Sequence, residues 1–189
     1  MPQPSSTLVG FGASTMQGVG DPAGGFMTRL RQQLAGRGTA VVNLGIGGNT
    51  TRDLVRRLPQ VAAHQPCAVV VLLGCNDMPR RNDGKPEIRT TVDEYRANLA
   101  RIFPAVRGTR SLFVTSFMVD EARVGVTREV FTQYMDAAVA AATAAGFSTW
   151  DLFRESLAFD GGFYAPDGLH YNGDGHAFIA ARVATLLDG

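Results

Sequence analysis

Five short apolar runs alternate along the chain with longer stretches in which apolar residues recur every three to four positions. The runs predict β-strands at residues 7–12, 40–45, 68–74, 111–118 and 147–152. The longer stretches predict helices at residues 26–34, 51–63, 92–106, 128–145 and 175–187. This alternation of strand and helix is typical of a parallel sheet with helices packed on both faces.

The third run, at residues 68–73, is apolar at every position. A strand without polar alternation is expected at the centre of a parallel sheet, where helices cover both faces. Pro104 is expected to kink or end the third helix, and residues 79–89 and 119–126 are predicted to be surface loops. No repeat or linker divides the chain, so residues 1–189 are predicted to form a single domain.

Charge and composition narrow the classes of partner. The formal net charge is +1, and all but one of the 18 basic residues are Arg. Because no long run of one sign marks a surface for nucleic acid or anionic lipid, a small or neutral substrate is favoured. The pairs Arg56-Arg57 and Arg80-Arg81 are expected to be solvated. Neither a signal peptide nor a membrane span is visible, which predicts a cytoplasmic protein without a membrane partner.

The two cysteines, Cys67 and Cys75, flank the third apolar run. Eight residues of strand would separate them by about 26 Å, whereas the Cα atoms of a disulfide lie within about 7 Å. Both are therefore expected to be reduced packing residues. No cluster of Cys or His has the spacing of metal ligands, so no metal site is predicted.

Three of the predicted strands end in small and polar residues. Gly12-Ala13-Ser14 follows the first strand, residues 45–49 follow the second, and Gly74-Cys75-Asn76-Asp77 follows the third. In an open parallel sheet, ligands bind beyond the carboxyl ends of the strands. If the strand order is 2-1-3-4-5, these three ends are neighbours, and Ser14, Gly48 and Asn76 converge on one crevice.

A serine that attacks an ester needs a base, a carboxylate that orients the base, and donors for the oxyanion. Asp167 precedes His170 by three residues, close enough on a tight turn to accept the Nδ1 proton and leave Nε2 for Ser14. The backbone N–H groups of Ser14 and Gly48 and the side-chain amide of Asn76 would bind the oxyanion. This predicts a serine hydrolase in which Ser14 is the nucleophile.

Four segments resemble the signature blocks of the SGNH hydrolases, the GDSL-like lipases and esterases. They are Gly12-Ala13-Ser14, Gly48, Gly74-Cys75-Asn76-Asp77 and Asp167-Gly168-Leu169-His170. The resemblance implies a three-layer α/β/α domain with a five-stranded parallel sheet in the flavodoxin-like order 2-1-3-4-5. It also implies the namesake roles for Ser14, Gly48, Asn76 and His170, and no cofactor. The family usually has Asp where this chain has Ala13, and we expect lower activity for that reason. It commonly has Asp in place of Asn49, which is expected to cap the following helix.

Other interpretations remain open from the residues alone. A nucleotide-binding Rossmann-like module is an alternative, but the glycine fingerprint after the first strand lacks its third Gly, and no acidic residue ends the second strand. A binding protein on an inactive hydrolase scaffold is another, favoured only by Ala13. Asp160 and Asp174 are alternative triad acids, without the spacing of Asp167 to His170. His64 and His176 are expected to be structural.

The expected substrate is a small carboxylic ester with a short acyl chain, and acetylated sugars are among the candidates. An apolar acyl wall is predicted near the strand ends and the triad turn, although core packing accounts equally well for its residues: Met78, Phe117, Met118, Phe163 and Tyr164. The sequence does not indicate an oligomeric state.

Overall fold

The computed structural model describes residues 6–82, 85–87, 89–159 and 161–188. In chain order its strands are β1 (Ser6–Gly12), β2 (Thr39–Gly45), β3 (Ala68–Leu73), β4 (Arg80–Asn82), β5 (Lys85–Glu87), β6 (Arg110–Thr115) and β7 (Ser148–Trp150). Five of them form one parallel sheet in the order β2-β1-β3-β6-β7, and β4 and β5 form a separate antiparallel pair. The predicted order 2-1-3-4-5 is therefore confirmed.

The register of the sheet places the carboxyl ends of β1, β2 and β3 next to one another. Gly12 at the end of β1 lies opposite Gly45 at the end of β2 and opposite Leu72 in β3. On the other side of β3, Leu72 lies opposite Val114 of β6. The segments that follow β1, β2 and β3 therefore start from one edge of the sheet.

The helices are α1 (Ser14–Gln17), α2 (Gly25–Gln33), α3 (Thr51–Ala63), α4 (Val92–Val106), α5 (Glu121–Val124), α6 (Arg128–Ala144), α7 (Leu152–Ser156) and α8 (Gly173–Asp188). They form two layers because successive strand residues point to opposite faces of the sheet. Val9 and Phe11 of β1 pack with the apolar residues of α3, α4 and α6, whereas Leu8 packs with those of α2 and α8. The predicted three-layer α/β/α arrangement is confirmed.

Short elements were missed by the apolar pattern because they bury too few residues to show a period. The β4–β5 pair and α5 lie in the two segments that were predicted to be loops, and α1 and α7 directly follow strands. The predicted fourth strand is also too long, since β6 ends at Thr115 and the next residues leave the sheet while staying buried.

Pro104 does not end α4, which continues to Val106. A proline in the last turn of a helix removes only one backbone hydrogen bond, and the fully buried Phe103 and nearly fully buried Val106 hold that turn against the core. Among the described residues, no helix is long and apolar enough to cross a membrane. Cys67 and Cys75 are both free thiols.

Candidate active site

The proposed nucleophile, Ser14, is the first residue of α1, two positions after the end of β1. Gly12 is required before it, because a Cβ there would lie 2.4 Å from the carbonyl oxygen of Leu72. The first N–H groups of a helix have no partner within the helix. Ala13 has no side-chain acceptor to cap them. The N–H of Ser14 therefore points out of the end of α1, unpaired among the described residues.

The segment after β2 forms a tight turn that we call the oxyanion turn, residues 46–49. The N–H of Asn49 donates to the carbonyl of Ile46 at 3.3 Å, and Gly48 has a φ of +77°. A positive φ at the third residue is the geometry of a type II turn, which favours glycine. The N–H of Gly47 donates to Oε1 of Gln17 at 2.7 Å. No described group accepts from the N–H of Gly48, so of the two glycines it is the one with a free donor.

Asn76 follows β3 and faces the same turn. Its Nδ2 donates to the backbone carbonyl of Asn49 at 3.0 Å. A side-chain amide has two N–H groups. This bond orients the amide, and no group in the described part of the chain accepts from its second N–H. The structure thus places three unpaired donors at the ends of β1, β2 and β3, namely two backbone N–H groups and one side-chain amide.

Asp77 anchors this side of the site, a role that the sequence analysis did not assign to it. Its carboxylate accepts from the N–H of Thr51 at 2.9 and 3.0 Å and from the hydroxyl of Thr51 at 2.6 Å. Asn98 of α4 donates to the same hydroxyl at 3.0 Å. Burial raises the pKa of Asp77, although the hydrogen bonds from Thr51 oppose that rise. The carboxylate fastens the segment of Asn76 to the start of α3.

The predicted acid–base pair is formed. Nδ1 of His170 lies 2.6 Å from Oδ2 of Asp167, and Oδ1 of Asp167 accepts from the N–H groups of Leu169 and His170, each at 2.9 Å. Partial burial by itself would raise the pKa of Asp167, but these hydrogen bonds together lower it to about 2. An ionised carboxylate beside Nδ1 favours the tautomer with its proton on Nδ1, which leaves Nε2 as an acceptor.

The turn that carries this pair is held from two sides. Within the turn, the N–H of Ala165 donates to the carbonyl of His170 at 2.8 Å. From the segment after β6, the N–H of Asp120 donates to the carbonyl of Gly168 at 2.8 Å, and Arg123 donates to the carbonyl of Pro166. Gly168 has a φ of +67°, and a Cβ there would lie 2.6 Å from the Cβ of Asp120, so the close approach needs glycine.

Ser14 and Asn76 line one cavity of about 10 Å³, which has room for about one water-sized group. The other lining residues come from three strand ends and the triad turn: Ala13, Thr15, Leu72, Gly74, Cys75, Ser116, Val119 and Leu169. His170 follows Leu169 directly in the chain. Within the described part of the chain, no hydrogen bond joins Ser14 to His170; such bonds often shorten only when substrate is bound.

The structure does not bring the predicted acyl wall to Ser14. None of the five residues proposed for it is among those that line the cavity: Met78, Phe117, Met118, Phe163 and Tyr164. Met78 is fully buried in the core beside α3, α4 and α6. Phe117 packs against Tyr164, whose hydroxyl donates to the carbonyl of Met118. Core packing, the alternative for these residues, accounts for their positions.

Two expectations about polar side chains near the oxyanion turn were wrong. Asn49 does not cap α3; Thr50 is the N-cap residue, and its N–H and hydroxyl both donate to Asp53. Arg57 is half-buried rather than solvated, and its Nη1 donates to Oδ1 of Asn49 at 2.7 Å. Arg56 is exposed as expected.

Arg80, also expected to be solvated, is half-buried and donates from Nη2 to the sulfur of Cys75 at 3.7 Å. Burial raises the pKa of the Cys75 thiol, and the nearby Arg80 opposes that rise. The side chain of Arg81 lies outside the described residues.

The other candidate histidines and acids lie away from the cavity. His176 is fully buried, where its Nδ1 accepts from the N–H of Phe26 and its Nε2 lies 3.2 Å from the carbonyl of Val19. Burial lowers its pKa, which favours the neutral ring. Asp174 is exposed in the first turn of α8, and Asp160 lies outside the described residues.

The fold and the arrangement of Ser14, Asn76, Asp167 and His170 match one class of enzyme, the serine ester hydrolases of the SGNH type. The model of the GDSL-like lipase/acylhydrolase family matches residues 11–178 of this chain. The chain belongs to that family.

Two relatives illustrate its range. An acetylxylan esterase from Geobacillus stearothermophilus is 35% identical over 104 residues, which cover 51% of this chain and 47% of that protein. The match thus spans just under half of the length of that relative. The GDSL esterase/lipase CPRD49 from Arabidopsis thaliana is 27% identical over an alignment of 202 residues, which covers 95% of this chain and 78% of that protein.

Solved structures share the fold over nearly the whole chain. A lipase/acylhydrolase from Enterococcus faecalis superposes with a TM-score of 0.81 at 25% identity, covering 95% of this chain and 94% of that one. A catalytic mutant of Axe2, an acetylxylan esterase from Geobacillus stearothermophilus, superposes with a TM-score of 0.78 at 23% identity. The superposition covers 97% of this chain and 94% of that one. These similarities leave no support for the nucleotide-binding alternative.

Proposed function

We propose that this protein hydrolyses small carboxylic esters, acetate esters above all, through an acyl-enzyme on Ser14. The observation that carries the proposal is the convergence of Ser14 and Asn76 on one cavity, to whose lining the turn of Asp167 and His170 contributes Leu169. No cofactor is needed for this chemistry.

In the proposed mechanism, Nε2 of His170 takes the proton of the Ser14 hydroxyl while Oγ attacks the ester carbonyl. The ionised Asp167 accepts a hydrogen bond from Nδ1 and stabilises the imidazolium that forms. The negative charge on the former carbonyl oxygen is met by the free donors of Ser14, Gly48 and Asn76. His170 then protonates the leaving alcohol, and a water activated by His170 releases the acid from Ser14.

The size of the cavity supports a short acyl group. Space for about one water-sized group beside Ser14 fits the methyl of an acetyl ester. Leu72, Val119 and Leu169 bound this space, and two of them are nearly fully buried, so a longer chain would have to displace packed side chains. The similarity to an acetylxylan esterase supports acetylated sugars as the alcohol component.

A direct test measures hydrolysis of p-nitrophenyl esters from acetate to decanoate by the wild type and by Ser14→Ala, with fluorophosphonate labelling of both. We expect turnover and labelling in the wild type, neither in Ser14→Ala, and the highest kcat/KM for acetate. Release of acetate from acetylated xylose and xylan then tests the alcohol component. Equal turnover by a folded Ser14→Ala would refute the mechanism.

A binding protein without activity is the second candidate, and one observation favours it. Because the side chain of Ala13 cannot accept a hydrogen bond, the start of α1 lacks the side-chain cap that the usual Asp of the family could supply. The same experiment separates the two proposals. A folded wild-type protein with neither turnover nor labelling would support the binding protein, and Ala13→Asp would be the first variant to test for restored activity.

A further inference from the structure

Arg57 is the charged side chain that the sequence analysis misjudged most clearly. From α3 it reaches back over the ends of β1 and β2. Its Nη1 donates to Oδ1 of Asn49 at 2.7 Å, its Nη2 donates to the carbonyl of Leu44, and its Nε donates to Gln60 at 3.1 Å. The guanidinium carbon lies 5.4 Å from the centroid of the buried Phe11 ring, within the range of a cation–π contact.

Two of these contacts lie on the two sides of the oxyanion turn. Leu44 precedes the turn at the end of β2, and Asn49 is its last residue. A planar guanidinium presents its N–H groups in a fixed fork, so one side chain bridges the two ends of the loop that presents Gly48. A lysine ammonium has three N–H groups but no fixed planar fork, so it would hold the two ends of the loop less rigidly.

Asn49 connects this bridge to the side-chain donor of the site. Its side chain is held by Arg57, and its backbone carbonyl accepts the hydrogen bond that orients Asn76. A shift of Asn49 would therefore move both the turn of Gly48 and the amide of Asn76. The neighbouring Arg56 has no such link, because it is exposed and pairs with Asp53 at 3.2 Å.

We propose that Arg57 is a positioning residue for the oxyanion hole, which holds Asn49 and thereby sets the donors of Gly48 and Asn76. The inference rests on the proposed ester hydrolysis and adds to it a residue outside the signature blocks. Arg57 is not among the residues that line the cavity of Ser14, so its effect on catalysis would be exerted through Asn49.

The test compares kcat and KM for p-nitrophenyl acetate in Arg57→Met, which keeps the apolar stem, Arg57→Lys, which keeps the charge, and the matched control Arg56→Met. Each is also made in the background of Asn76→Ala, and Ser14→Ala is assayed beside them. Thermal unfolding confirms that every variant is folded at the assay temperature. Should Arg57→Met fail to fold, Asn49→Ala removes the same hydrogen bond from the other partner and replaces it.

Because small misplacements of catalytic groups reduce rates strongly, Arg57→Met should lower kcat about tenfold with KM changed less than about twofold. Arg57→Lys should recover part of this loss, and Arg56→Met should stay within about twofold of the wild type. In the Asn76→Ala background the effect of Arg57→Met should shrink to below about threefold, because the amide of Asn76 is gone and only the part exerted through Gly48 remains.

An unchanged kcat in Arg57→Met would overturn the positioning role. The same loss with and without Asn76 would overturn the proposal that Arg57 sets the amide of Asn76, because that part of its effect must vanish when the amide is absent. Either result is distinct from failure of the proposed function. If Ser14→Ala kept wild-type activity, or the folded wild type had none, the ester hydrolase itself would be rejected, and the inference with it.

Discussion

Asp77 and Asp167 both hold groups of the site in place, yet they do so in opposite surroundings. Asp77 is 4% exposed and its partners come from α3, more than twenty residues away in the chain. The side chain of Asp167 is 51% exposed, and its partners lie two and three residues away. The oxyanion side is therefore held by buried contacts between elements, whereas the acid–base side is a local turn fastened to the surface.

This difference predicts how a mutation on each side affects activity and stability. A change on the acid–base side should remove chemistry and leave the fold stable, because few buried groups lose partners. A change on the oxyanion side should affect catalysis and stability together. The following predictions test that contrast in order of decreasing effect.

The largest loss is expected from the acid–base side. His170→Ala should lower kcat for acetate esters by at least about 10⁴-fold, because it removes the group that moves every proton of the mechanism. Asp167→Asn should lower kcat by on the order of 10³-fold, since the neutral amide no longer fixes the tautomer or stabilises the imidazolium. Steady-state kinetics on folded protein checks both, and a loss below about tenfold in either would contradict the assignment.

The next effect is on the oxyanion side. Asn76→Ala should lower kcat by about 10² to 10³-fold by removing one donor. The KM for p-nitrophenyl acetate should change little, because the donor acts on charge that develops in the transition state. A fall in kcat of less than about threefold would exclude Asn76 as an oxyanion donor.

The removal of Asp77 and the removal of Asp167 should differ in their effect on the free energy of unfolding. Asp77→Ala leaves the N–H and the hydroxyl of the fully buried Thr51 without their acceptor, and we expect the free energy of unfolding to fall by about 3 kcal/mol. Asp167→Ala removes the exposed pair of Asp167 with His170 and should change the free energy of unfolding by less than about 1 kcal/mol. Urea unfolding of both variants at neutral pH measures the difference. Equal losses would show that the two sides are not held differently.

A smaller effect is expected from Gln17, which fastens the oxyanion turn to α1. Gln17→Ala should lower kcat only a few-fold, because the hydrogen bond to Gly47 is exposed and Arg57 still holds the turn. Gln17→Glu keeps an acceptor oxygen and serves as the matched variant, with a smaller loss expected if the bond matters. A loss larger than that of Arg57→Met would reverse the order of importance proposed for the two side chains.

The buried His176, which lies outside the cavity of Ser14, predicts a dependence of stability on pH. Its pKa lies below the ordinary 6.5 in the folded protein. As the pH falls below 6.5, the unfolded chain therefore takes up a proton that the folded chain does not. This group should lower the free energy of unfolding by up to about 1.4 kcal/mol per pH unit. Unfolding at pH 7.5 and 5.5 should show a shallower loss in His176→Gln, and an unchanged loss would exclude His176 as the cause.

The sheet and most of the helices could be predicted from the sequence, because the residues that each element buries recur along the chain with the period of that element. The helix at residues 51–63 and the helix at residues 92–106 match α3 and α4 at both ends. Both present a regular apolar stripe to the sheet. The short α5 and the β4–β5 pair were missed because three or four residues do not establish a period. The strand that ends at Thr115 was predicted to continue to residue 118 because Phe117 and Met118 after it are also apolar and buried.

The pair of Asp167 and His170 could be predicted from the sequence for a different reason. Three residues of spacing on a glycine-containing turn constrain the geometry locally, and the predicted hydrogen bond from Nδ1 is present. The residues predicted to form the acyl wall do not line the cavity beside Ser14, because an aromatic or Met residue near a strand end can turn into the core as easily as toward the site. Phe117 and Met78 did so.

The sequence by itself determined the order of the elements, the short segments that carry Ser14, Asn76 and His170, and the local pair of Asp167 with His170, because each depends on residues close together in the chain. Only the tertiary structure decided that Asn49 orients Asn76, that Asp77 fastens the start of α3, and that Arg57 is held over the oxyanion turn. These contacts join residues whose burial and direction follow from how α3 packs on the sheet, and no local pattern encodes them.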